Sequence, residues 1–216
     1  MSYKTVIFDL DGTLLDTLED LTDSVNYALS VMEYPVRTID EIRQFVGNGV
    51  KKLMERAVPE NTNQQDFDKC FGLFKEYYNL HSQDKTKPYD GVISLMRRLK
   101  AKGIKMAIVS NKLHEAVLDL RDIFFKDVIE VAIGDMPELK RKPEPDSCFK
   151  ALELLGSSVE EAVYVGDSEV DIATARNAGL PCIAVLWGFR DREFLISKGA
   201  TVLAENADEV EMEVLN

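Results

Sequence analysis

The sequence predicts an α/β protein: a doubly wound, mostly parallel sheet with a small all-helical domain inserted after the first strand. Two observations predict it. Short, nearly unbroken apolar runs recur along the chain with helical patterns between them, as expected of strands buried on both faces. The alternation then breaks once, because the second run begins only at residue 104, much further on than a crossover helix requires.

The first strand is expected over residues 5–10, and the polar stretch Asp9, Leu10, Asp11, Gly12, Thr13 closes it. Residues 16–84 form the insertion. Leu18, Leu21, Val25, Ala28, Leu29 and Met32 repeat at helical spacing, and Thr17 with Asp20 reads as a capping box. Further helices are expected near 40–46, 50–57 and 64–82. The segment "KTKPYDG" (85–91) reads as the return hinge, with Pro88 and Gly91 ending regular structure. Residues 1–15 and 85–216 then make up the core. Its expected helices cover 91–102, 113–121, 145–155, 169–178 and 190–198. Its strands cover 104–110, 128–133, 162–165, 183–187 and 201–203.

Composition narrows the function classes. Among 216 residues, 26 Lys and Arg face 38 Asp and Glu, a net charge of -12 that disfavours nucleic acid and anionic membrane surfaces as partners. No apolar run approaches the roughly 20 residues of a membrane span, and the first residues lack a basic-then-apolar leader. Cys70, Cys148 and Cys182 are odd in number and have no CxxC spacing, as buried thiols of a reducing compartment do. A cytoplasmic location is expected; monomer and homodimer both stay open.

Four short pieces fall at expected carboxyl ends of strands, where open parallel sheets bind ligands. They are "DLDGT" (9–13), "SNK" (110–112), "KPEPD" (142–146) and "GDSEVD" (166–171). Singly each has a plain reading: Ser110 as a helix cap, Lys142 in a solvated basic run, Ser168 with Asp171 as a capping box. Together they gather Asp9, Asp11, Asp167 and Asp171 at one mouth. Four carboxylates there repel one another unless a cation compensates, and Mg²⁺ suits an oxygen set shared with a phosphate. Ser110, Lys142, the amides around Gly12 and Thr13 and the helix starting near Lys112 are placed to hold an anion beside it. Metal beside anion means phosphate handling. His81 and His114 lack partners at ligand or triad spacing and read as surface residues.

These four pieces resemble the four motifs of the haloacid dehalogenase-like phosphatase superfamily, whose members share a Rossmann-like core. The inserted helices resemble that superfamily's cap domain. Within the group, "FVGNGVKKLMERAV" and "LWGFR" resemble phosphoglycolate phosphatases. The resemblance implies Asp9 as nucleophile, giving an aspartyl-phosphate, and Asp11 as general acid and then base, so one carboxylate must be ionised and its neighbour protonated. It implies Mg²⁺ held by Asp9, Asp167 and the Asp11 backbone carbonyl, with Asp171 behind them orienting the set. Gly12, Thr13, Ser110, Asn111 and Lys142 would bind the phosphoryl group. In the cap, Gly47, Asn48 and Gly49 read either as a plain turn or as a loop reaching the site, with Lys51, Lys52 or Arg56 meeting the far end of the substrate. A compact lid favours a small phosphorylated metabolite, and 2-phosphoglycolate is the smallest phosphomonoester that also carries a carboxylate.

Rivals share parts of this pattern. A β-phosphoglucomutase-like sugar-phosphate transferase has every core motif, and a pyrophosphatase or nucleotidase of the same superfamily has the same cap type. A phospho-accepting receiver domain also places acidic residues and a lysine at strand mouths, but it leaves the insertion and Asp11 unexplained. A P-loop nucleotide-triphosphatase is excluded, since GxxxxGK[ST] is absent.

Overall fold

Val6 and Phe8 of β1 (Thr5–Phe8) pack into one apolar cluster while Ile7 packs into another on the opposite face of the sheet. Alternation of side chains along a strand, with both faces apolar, demands cover on both sides. The computed structural model describes residues 2–47 and 49–216. The chain divides into two units, Met1–Leu15 with Pro88–Asn216, and Asp16–Lys87.

In chain order β1 is followed by β2 (Leu15–Asp16) and, after the inserted helices, by β3 (Lys87–Pro88); these two short strands pair with each other. Then come β4 (Lys105–Leu113), β5 (Val131–Asp135), β6 (Ala162–Gly166), β7 (Cys182–Val185) and β8 (Val202–Ala204). The six-stranded sheet has the order β5-β4-β1-β6-β7-β8 and every neighbouring pair is parallel. Phe8 lies opposite Ile108 of β4 and Val165 of β6. Chain order therefore reverses at β1, and its carboxyl end is a switch point of the sheet.

The second unit holds α1 (Leu18–Val31), α2 (Ile39–Phe45), α3 (Val50–Ala57) and α4 (Gln64–His81). Leu21, Val25, Ala28 and Leu29 of α1 and Phe67, Cys70, Phe74 and Tyr78 of α4 share one core with Ile42, Leu53 and Met54. The core unit adds α5 (Val92–Ala101), α6 (His114–Phe124), α7 (Asp146–Leu155), α8 (Glu169–Ala178), α9 (Arg192–Ser197) and α10 (Ala207–Leu215). Apolar stripes of α5, α6 and α10 cover the face of Val6 and Phe8, and those of α7 and α8 cover the face of Ile7. No helix of the described residues is long and apolar enough to cross a membrane.

Several expectations need correction. Thr17 makes no capping bond. Asp20 instead accepts the backbone N–H groups of Lys85 and Thr86 and the Thr86 hydroxyl, at 2.7 to 3.2 Å. The capping box in this unit belongs to Thr38 and Glu41 at the start of α2. Val128 and Ile129, expected to open a strand, donate their N–H groups to the Phe125 carbonyl and are buried in a turn closing α6. β4 runs past Ser110 to Leu113 through an irregular register, so α6 begins at His114 and Ser110 caps nothing. Helix α10 was not expected. Cys70, Cys148 and Cys182 are free; Cys182 is only half-buried, and burial pushes the Cys148 thiol up to about 12.

Candidate active site

Beyond Phe8 the chain turns sharply. The Leu10 carbonyl accepts the N–H groups of Thr13, Leu14 and Leu15 at 3.3, 2.9 and 3.0 Å. Leu10 is sealed in the core, while Asp9 and the half-buried Asp11 are set at the mouth of the sheet. Gly12 takes φ of 88°, and a Cβ there would stand 2.4 Å from an Asp167 carboxylate oxygen. The Gly12 and Thr13 amides donate to Leu15 and Leu10, so they close this turn rather than face outward.

Lys142 is buried at the centre of the site. Its ammonium lies 2.7 Å from Asp9 Oδ1 and 2.8 Å from Asp171 Oδ1, with the Tyr164 hydroxyl at 3.0 Å and the Val109 carbonyl at 3.2 Å. Asn111 fixes it there: the Asn111 amide accepts the Lys142 N–H at 2.9 Å and donates to its carbonyl at 3.1 Å. Two residues expected at the phosphate thus bear on each other. The Tyr164 hydroxyl donates to Asp171 Oδ1 at 3.0 Å, while Asp171 Oδ2 accepts the Ser168 N–H and hydroxyl in the capping box of α8. Every lone pair of Asp171 is occupied.

Asp167, after β6, is held by two neighbours. Thr13 Oγ1 donates to its Oδ1 at 3.0 Å and the Phe189 N–H to its Oδ2 at 2.8 Å. Phe189 lies in the loop after β7, where a Cβ on Gly188 would sit 2.4 Å from both Asp167 Cβ and the Gly12 carbonyl. Trp187 Nε1 donates to the Thr13 carbonyl at 3.0 Å, and Arg190 pairs with Glu169 of α8 at 2.9 Å. Asp11 meets a different cation: Lys112 Nζ stands 3.0 Å from its Oδ1. The Ser110 hydroxyl accepts the Lys112 N–H at 3.2 Å, which leaves its own proton for an outside acceptor.

Asp9, Asp167 and Asp171 bring carboxylate oxygens within 4.8 Å of one another, all three buried. Against them, among the described residues, stands the single charge of Lys142, so two negative charges go unmatched, while Asp11 and Glu169 have their own partners. Burial first, then the charge of Asp171, pushes Asp167 up to about 7, against hydrogen bonds from Phe189 and Thr13 that pull the other way. Burial and Asp171 likewise hold Asp9 well above the usual carboxylate range, partly countered by Lys142. Burial draws the Lys142 ammonium down, but Asp171 and Asp9 together outweigh it and keep it charged. A hard divalent cation fits this site: the donors are all oxygen, Asp9 Oδ2 accepts no hydrogen bond among the described residues, and the charge deficit is two. Since Asp171 is saturated, Asp9 and Asp167 are the carboxylates able to take it.

Of the cap residues, Gly47 and Gly49 have φ of 117° and 84°, and Gly49 opens α3. Asn48 lies outside the described residues. Lys51 and Lys52 are exposed on the first turn of α3, with Lys52 paired to Glu55 at 2.5 Å, and Arg56 donates to the Phe45 carbonyl at 2.7 Å. His114 departs from expectation: it is half-buried, and its Nδ1 accepts the Gly134 N–H at 3.1 Å. His81 stacks on Tyr77 and pairs with Asp84. Sequence reasoning missed Lys112, Tyr164 and Gly188. Tyr164 did leave a signal, since a phenol inside an apolar strand needs a buried partner.

A sequence profile of haloacid dehalogenase-like hydrolases matches residues 6–185. The chain is 36% identical over 198 residues to the phosphoglycolate phosphatase of Mesorhizobium japonicum, covering 89% of this chain and 86% of that one. It is 31% identical over 214 residues to phosphoglycolate phosphatase 1 of Pseudomonas aeruginosa, covering 94% and 76%. A crystal structure from Lactobacillus delbrueckii subsp. bulgaricus, which carries a provisional phosphoglycolate phosphatase name, superposes with a TM-score of 0.96 at 38% identity over all of both chains. The match covers most of the chain and contains all four motif pieces, so the chain belongs to the haloacid dehalogenase-like hydrolase family, in which its likeness is to the phosphoglycolate phosphatases.

Proposed function

We propose that the protein hydrolyses a small phosphomonoester, 2-phosphoglycolate foremost, in the cytoplasm and with Mg²⁺, by phosphoryl transfer to Asp9. One arrangement carries the reading: Asp9, Asp167 and Asp171 buried around Lys142 with two negative charges unmatched. Asp9 attacks phosphorus with an ionised carboxylate oxygen as the bond to the leaving oxygen breaks, and Asp11 gives that oxygen its proton. A water molecule then attacks the aspartyl-phosphate, Asp11 takes the water's proton, and Asp9 is released with inorganic phosphate. Lys142, clamped by Asn111, steadies negative charge beside Asp9, and the Ser110 hydroxyl donates to a phosphoryl oxygen. Held by Asp9 and Asp167, with the Asp11 carbonyl, Mg²⁺ would supply positive charge to the phosphoryl oxygens. The names borne by the relatives support 2-phosphoglycolate as the substrate.

The test is phosphate release across a panel of small phosphomonoesters, with Mg²⁺ and after chelation, for the wild type and Asp9→Asn. The expected result is highest kcat/KM for 2-phosphoglycolate, no turnover without a divalent ion and none for Asp9→Asn, because an amide cannot accept the phosphoryl group. More than trace activity in Asp9→Asn would remove the nucleophile. Far better hydrolysis of hexose phosphates or nucleotides would replace the substrate and keep the chemistry.

A further inference from the structure

We infer that Lys112 is a positioning residue for the general acid, holding the Asp11 side chain so that one chosen oxygen meets the leaving group. The inference rests on the acid role proposed for Asp11. Lys112 Nζ lies 3.0 Å from Asp11 Oδ1, with the two side chains only 6% and 19% exposed. Among the described residues Asp11 Oδ2 has no hydrogen-bond partner, so the pair ties down one oxygen and presents the other. The backbone makes this reach possible. β4 slips register between Val109 and Leu113, carrying "SNK" beyond the regular ladder and directing Lys112 back towards β1. The Lys112 N–H is anchored on Ser110 Oγ and the neighbouring Asn111 is anchored on Lys142, which fixes the segment from both sides.

Charge gives the contact a task during transfer. When Asp11 Oδ2 passes its proton to the leaving oxygen, the P–O bond to that oxygen breaks and the bond from Asp9 to phosphorus forms. Asp11 is left as a carboxylate, and the Lys112 ammonium, which keeps all its protons, already faces it. In the second half, the proton from the attacking water returns to the same oxygen. Lys142 cannot serve here, being committed to Asp9 and Asp171.

An acid matters most for a poor leaving group. Replacing Lys112 by Met or by Gln should therefore lower kcat/KM for an alkyl phosphate such as 2-phosphoglycolate more than for p-nitrophenyl phosphate, whose phenolate leaves unaided. The expected fall in the ratio of the two is about 10–100-fold, a part of the 10²–10⁴ that general acid catalysis is worth. Lys112→Arg should recover part of it. Asp11→Asn, measured alongside, should show the same bias at least as strongly. An unchanged ratio in the Lys112 variants with a biased Asp11→Asn overturns the inference about Lys112 alone. An unbiased Asp11→Asn overturns the acid role, and this inference with it. Equal losses on both substrates in the Lys112 variants would make the lysine a ligand of the phosphate instead.

Discussion

Asp9 and Asp11 stand one residue apart and meet different lysines, Lys142 and Lys112. That division lets a strand end in two carboxylates without leaving both uncompensated. Asp167 and Asp171 add two more, and there the compensation falls short, so burial and mutual repulsion hold the Asp167 and Asp9 carboxyls above the usual carboxylate range. The consequence is a measurable dependence on pH. A carboxyl whose folded value is raised from 3.8 to about 7, as at Asp167, stabilises the fold fully below 3.8 and loses that contribution as pH rises through about 7. Asp9 is shifted in the same direction. With EDTA present, the melting temperature should therefore be higher near pH 5 than near pH 7.5. Mg²⁺ should raise it more at the higher pH, where it binds the ionised carboxylates without displacing protons. Differential scanning fluorimetry checks this, and an apo protein more stable near pH 7.5 would remove the burden assigned to Asp9 and Asp167. That Asp9, Asp167 and Asp171 come together was readable, because residue type and order point to one strand mouth. Lys112 was not, since its reach to Asp11 depends on a register slip in β4 that no local propensity announces.

At the scale of elements, three turns converge on Asp167: the turn after β1, the start of α8, and the loop after β7. Gly12 and Gly188 let them approach, since a Cβ on either would stand 2.4 Å from atoms of Asp167. The obstruction at Gly188 includes the Gly12 carbonyl, which is backbone and cannot swing aside. Gly188→Ala should therefore displace Asp167 and its bond from Phe189, costing about 10–100-fold in divalent affinity or activity, the usual effect of disturbing the support of a metal ligand. A Mg²⁺ titration of phosphate release reads it, and an unchanged half-saturation with full activity would show that the loop after β7 is not such a support. The strands themselves were legible as apolar runs, with errors where burial has another source. Val128 and Ile129 are as buried as strand residues but belong to a turn, so apolarity alone misplaced the start of β5. Helix α10 is short and mostly acidic on its exposed side, with only Ala207, Val210 and Val214 buried, too few repeats for periodicity to resolve. The capping signal at Thr17 and Asp20 failed for a tertiary reason: Asp20 is engaged by the returning chain at Lys85 and Thr86, contacts a local pattern does not contain.

Across the whole molecule, acidic residues outnumber basic ones by 12, an unwelcoming field for a substrate with two anionic groups unless cations are placed where it is captured. Lys142 and Lys112 are both committed to carboxylates in the core unit, so if 2-phosphoglycolate is the substrate, as proposed, its carboxylate needs another partner. We propose Lys51 and Lys52 for that role. Both are exposed on the first turn of α3, and the tie between Lys52 and Glu55 is an exposed pair three residues apart, of the kind an incoming anion readily exchanges. Changing both lysines to alanine removes no buried group and keeps good helix formers in α3, so the unit should still fold. The expected effect lies in capture: KM for 2-phosphoglycolate should rise about tenfold relative to KM for an aryl phosphate without a carboxylate, the worth of roughly 1.4 kcal/mol of lost binding. The effect should fade with added salt, since the contact is solvent-exposed and therefore screened. kcat should move little, because neither lysine takes part in the phosphoryl transfer proposed for Asp9 or the proton transfer proposed for Asp11. Initial rates on the two substrates at low and moderate ionic strength decide it. A loss shared equally by both, or one that falls on kcat, would separate these lysines from the substrate's carboxylate.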